Sequence, residues 1–153
     1  MDAKNTIDTL NGLIEVSKDG EYGFRTSAEH AHDAPLRQLL MRSAAECAQA
    51  ARELQDEVDA LGGEAEEGGS AAGAMHRGWV SVKAKLSTFS DREILEEVER
   101  GEDKALNRYL RAAESDLPAS ALSIVLRQLE GVRRKHDQFR ALREEARASS
   151  DAS

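Results

Sequence analysis

Residues 95–109 read Leu95-Glu96-Glu97-Val98-Glu99-Arg100-Gly101-Glu102-Asp103-Lys104-Ala105-Leu106-Asn107-Arg108-Tyr109. Leu95, Val98, Ala105 and Tyr109 recur at steps of three and four, which places them on one face of an α-helix. Glu102 lies on the same stripe, where a leucine would pack best. The stretch therefore predicts a long core-facing helix that carries a carboxylate near its middle.

Three other stretches repeat the pattern. Ile7, Leu10, Ile14, Ser17, Glu21, Phe24 and Ala28 form a seam that predicts a helix from about Asn5 to His30. Leu36, Leu40, Ser43, Cys47, Ala50, Leu54, Val58 and Leu61 predict a second, from about Pro35 until Gly62-Gly63 ends it. Pro35 suits a first helical turn because its missing N–H would be unpaired there. The helix around Glu102 starts after Ser90 or Asp91 and ends near Ser115. Asp116-Leu117-Pro118 then turns the chain into a fourth helix, with Leu122, Val125, Leu129, Val132, His136 and Phe139 on its seam. It reaches about Ala146, and residues 148–153 are expected to fray. Two carboxylates and an imidazole thus sit at mid-helix on inward stripes.

The second and third helices are separated by about 30 residues, in which Met75, Trp79, Val82 and Leu86 mark a short amphipathic helix from about Ala71 to Leu86. A helix of some 27 residues is about 40 Å long, and this connection can span it. That geometry predicts parallel second and third helices, as in crossover bundles.

Composition sets the class. With 153 residues, 33% of them charged and 4% aromatic, and with only two prolines, the chain suits one all-α domain over residues 1–147. A net charge of -8 argues against a general nucleic-acid or anionic-membrane binder. The basic residues Arg127, Arg133, Arg134, Lys135, Arg140, Arg143 and Arg147 are interleaved with acids and read as a solvated face. The single Cys47 reads as a small buried hydrophobe. No apolar leader stretch and no run of 18 apolar residues occurs, so a cytoplasmic location is expected. No glycine-rich phosphate loop, Cys-x-x-Cys pair or nucleophile triad is present, which leans against an enzyme.

The segments Asp19-Gly20-Glu21-Tyr22-Gly23-Phe24, Gly69-Ser70-Ala71-Ala72-Gly73-Ala74-Met75-His76-Arg77-Gly78-Trp79 and Glu99-Arg100-Gly101-Glu102-Asp103 resemble a bacterial family of uncharacterised ferritin-like proteins. That family is a domain of unknown function within the ferritin and rubrerythrin superfamily. The resemblance implies a ferritin-like four-helix bundle and, by analogy, a homodimer.

Di-iron members of the superfamily use a Glu from each of helices 1 and 3 and a Glu-x-x-His from each of helices 2 and 4. Glu21 and Glu102 match the first requirement. Arg133-Arg134-Lys135-His136 has Arg where the helix 4 Glu should stand, and helix 2 has no His, with Glu46 and Glu53 as its nearest carboxylates. Two site readings follow. In the preferred one, Arg133 neutralises Glu21 and Glu102 in a buried polar network with His136, replacing the metal. In the alternative, Glu21, Glu46, Glu53, Glu102 and His136 hold Fe, Mn or Zn. The corresponding functions are a non-catalytic interaction or stress-associated protein, and a redox or metal-storage protein. His30 and His32 read as helix-terminus residues and His76 as a packing residue beside Trp79.

Overall fold

The computed structural model describes residues 2–66 and 85–152, with side chains to Ser149. Among the described residues the long helices are α1 (Ala3–His30), α2 (Ala34–Ala60), α3 (Asp91–Glu114) and α4 (Ala119–Ala152). Among the described residues there is no strand.

Local chemistry sets the boundaries. Asp2 caps α1 through the Asn5 N–H, Asp33 caps α2 through the Leu36 N–H, and α2 has Pro35 in its first turn. Ser90 and Glu93 form a reciprocal capping box at the start of α3. Gly62, at φ +79°, takes the left-handed position after α2 that glycine enters without steric cost. Gly63 then lies against Ile7, where an added Cβ would come within 2.7 Å of the isoleucine Cδ1. At the other terminus α4 continues to Ala152, past the expected fraying point. The tail has neither glycine nor proline, so no residue in it stops the helix.

Hydrogen bonds define the topology. The Asp91 carboxylate accepts from the backbone N–H groups of His32 and Asp33 at 2.8 and 2.9 Å, which ties the α1–α2 turn to the start of α3. At the opposite end the Asn11 carboxamide donates to the Glu64 carbonyl and accepts from the Glu66 N–H. Helices α2 and α3 therefore start at one end and run parallel, and the connection between them has to cross the bundle. Met75, His76, Trp79 and Val82 lie outside the described residues, and Leu86 is fully buried.

The core is divided lengthwise into two apolar clusters, each drawing on all four helices. One contains Leu10, Ile14, Leu54, Val58, Tyr109 and Val125, and the other Phe24, Leu40, Ile94, Leu95, Val98 and Phe139. The Phe24 and Phe139 rings stack at 5.4 Å between centroids. No helix among the described residues is long and apolar enough to cross a membrane.

Candidate functional site

Between the two clusters the four helices line a half-open cavity of about 540 Å³. Gly20, Gly23, Gly101 and Gly131 all line it, and at Gly20 an added Cβ would come within 3.0 Å of Cys47 Sγ. Val16, Phe24, Val98, Ala105 and Val132 provide apolar wall.

Glu102 enters this cavity because it lies one turn beyond Val98 and one turn before Ala105 on the buried stripe of α3. The residue is 5% exposed, and its Oε1 atom is buried without a hydrogen-bond partner. Burial pushes its carboxyl up to about 7; the charges of Lys135 and His136 pull it back, while Asp103 and Glu46 add to the rise. Lys135 reaches in from α4 with its side chain 11% exposed. Its Nζ lies 3.4 Å from Glu46 Oε2, 3.8 Å from Cys47 Sγ and 5.4 Å from the centroid of the Phe24 ring. Burial pushes the Cys47 thiol up to about 11, partly offset by Lys135, so at neutral pH it is a thiol rather than a nucleophilic thiolate.

A second polar chain crosses the bundle beneath this group. Gln128 Nε2 donates to Glu53 Oε1 at 2.7 Å and to the Ala50 carbonyl, which fixes the orientation of the amide. Its Oε1 then accepts the Tyr109 hydroxyl at 2.7 Å, leaving Ser17, 3.2 Å away, to donate to the tyrosine oxygen. Arg127 closes the chain on Glu53 at 2.6 Å. Burial pushes the Tyr109 hydroxyl up to about 12. The α2–α4 seam is accordingly polar along its length: Glu46 meets Lys135, Glu53 meets Gln128 and Arg127, and Glu57 accepts from Ser120.

The residues expected to meet here are only partly brought together. Glu21 flanks the seam of α1 and turns toward the surface, where Arg25 pairs with it, while Gly20 faces Cys47 in its stead. Residues 20 and 21 diverge by about 100° around a helix, and here it is Gly20 that takes the side facing the cavity. Arg133 is exposed, and the cation that acts on Glu102 is Lys135. The reason is again helical phase, since Val132 and Lys135 are three apart on the inward side and Arg133 is turned away from it. His136 is held at 2.6 Å from Asp103 on the α3–α4 side. Glu46 and Glu53 do approach from α2, each already bound to a partner on α4. His30 occupies the last turn of α1, and His32 contributes only a backbone N–H to Asp91.

Lys135 and Gln128 are the side chains at this site that seam-reading passes over, whereas Tyr109 is read there as core alone. A signal for the first two is present: Glu46 and Glu53 are one heptad apart on α2, and Gln128 and Lys135 one heptad apart on α4, in the register that pairs antiparallel helices. Arg133→Leu follows as a control. The variant is expected to change stability by less than about 0.5 kcal/mol in urea denaturation, since it replaces an exposed residue outside the network.

The donor set does not fit the di-iron pattern. Among the described residues no group of three or more His, Cys, Asp or Glu side chains is placed to hold a metal ion. An ammonium, which cannot ligate, lies among the carboxylates, and Glu21 and His136 are committed elsewhere.

Comparison with known proteins agrees with this fold. The chain superposes on a structure described as a dodecameric thioferritin, the bacterioferritin-related protein from Bacteroides fragilis, with a TM-score of 0.77 and 17% identity over 99% of this chain and 92% of that one. It is similar to a mutant of Dps1 from Mycobacterium smegmatis at a TM-score of 0.73 and 12% identity, over 92% of this chain and 96% of that one. No curated protein matches it significantly. The fold is therefore a ferritin-like four-helix bundle. Residues 5–115 match the family model described as Domain of unknown function (DUF2383), and the chain belongs to that family.

Proposed function

We propose that this protein is a non-catalytic, ferritin-like binding or interaction protein in which a lysine-centred polar cluster takes the place of a di-iron site. The observation that carries this reading is the Lys135 ammonium, set against Glu46, Cys47 and Phe24 at the height where Glu102 enters the core. Filling the position with a resident cation supplies the positive charge that a metal would otherwise bring. Untagged protein from cells grown with added iron, manganese and zinc is expected to carry far less than one metal ion per chain. Near-stoichiometric metal, lost in Glu102→Ala, would overturn the reading.

A further inference from the structure

We infer that the mid-bundle cavity is a binding site for a small organic amine with an apolar body, its ammonium seated on the Glu102 carboxylate. Three observations converge on this. The cavity, at about 540 Å³, has the size of a small-molecule pocket rather than of a packing defect. Its wall is largely apolar, with the Phe24 ring and the side chains of Val16, Val98 and Val132 exposed to it. On that wall Glu102 Oε1 is a buried acceptor without a donor, so an occupant gains most by presenting an N–H or O–H group there.

Charge selects between those donors. The groups facing Glu102 are Lys135 and His136 from α4, Asp103 from α3 and Glu46 from α2, with the Cys47 thiol beside Lys135. Lys135 is matched by Glu46 at 3.4 Å and His136 by Asp103 at 2.6 Å. Glu102 is left as the carboxylate with no counter-charge of its own in direct contact. An ammonium supplies that charge together with up to three N–H donors, whereas a hydroxyl supplies a donor alone. An aromatic or branched apolar body then covers the valine and phenylalanine wall. The assignment rests on the reading that no metal holds this position, and the two can fail separately.

Isothermal titration of the full chain with 1-naphthylmethylamine and with the isosteric 1-naphthylmethanol tests it. At pH 8 the amine is expected to bind at one per chain and at least about tenfold more tightly than the alcohol. Glu102→Gln should remove that preference, and Ala105→Phe, which fills the cavity, should abolish both. Lowering the pH from 8 to 6 should weaken the amine by about tenfold as Glu102 takes up a proton, and leave the alcohol unchanged. Equal affinity for the two probes, an amine affinity indifferent to Glu102→Gln, or no binding of either would overturn the assignment. A protein that carries stoichiometric metal and still binds the amine with this preference would defeat the metal-free reading and leave the cavity assignment standing.

Discussion

Lys135→Met is expected to destabilise the protein by about 1 kcal/mol at pH 8, because Glu102, buried in a core that has lost its strongest cation, then takes up a proton one pH unit above its value of about 7. Methionine keeps the length and the apolar stem, so packing against Phe24 is largely retained and the loss reports charge. Two features distinguish this from damage to packing. The deficit should shrink below about pH 6, where Glu102 accepts a proton and no longer needs the ammonium. The double variant Lys135→Met/Glu102→Gln should regain most of the loss, giving a coupling of about 1 kcal/mol. Urea midpoints at pH 5.5 and 8 for the single and double variants measure both quantities. A single variant equally weakened at both pH values, with additive behaviour in the double, would show that Lys135 contributes shape and not charge.

Glu102→Gln alone should act in the opposite direction. The carboxyl of Glu102 moves from 4.5 to about 7 on folding. Below pH 4.5 it is protonated in both states and contributes no pH dependence. Between 4.5 and 7 the folded state retains a proton that the unfolded state has released, so stability falls as pH rises, and above 7 the cost is fully present. At about 1.4 kcal/mol per pH unit, the shift corresponds to about 3 kcal/mol at pH 8, and glutamine removes it. The variant should therefore be the more stable protein at pH 8, with a flatter profile from pH 5 to 8. Parallel pH profiles for variant and wild type would show that Glu102 is solvated in the folded protein.

The helices were legible in the sequence because amphipathic spacing, capping residues and the two prolines are local signals. Asp33, Pro35, Ser90 and Gly62 stand at the boundaries where their chemistry places them. The crossover was legible from length alone, and Asp91 and Asn11 show which ends it joins. The site was legible at Glu102 and much less so around it. A seam of three and four steps defines a stripe and not the flanks, and the cavity draws on both, with Gly20 beside Glu21 and Lys135 beside His136 coming from the flanks. Which flank turns inward depends on the neighbouring helix, a tertiary property that one helix's periodicity does not carry. Arg133 and Lys135 are both long cations within one turn, and only the α2 surface, with Glu46 and Cys47, distinguishes them.

The lengthwise division of the core also bears on how the bundle opens. Each apolar cluster ties together all four helices at its own end, and between them lie a cavity and hydrogen-bonded side chains in place of close-packed hydrocarbon. Such a molecule has two cooperative units strung on the same four rods, and local unfolding at one end need not propagate through the middle. Amide exchange would then separate into two protection classes along each helix, divided near Gly20, Cys47, Glu102 and Gly131. Any occupant that touches Phe24 and Val98 on one side and Val16 and Tyr109 on the other would join the units, making two breathing halves into a single one.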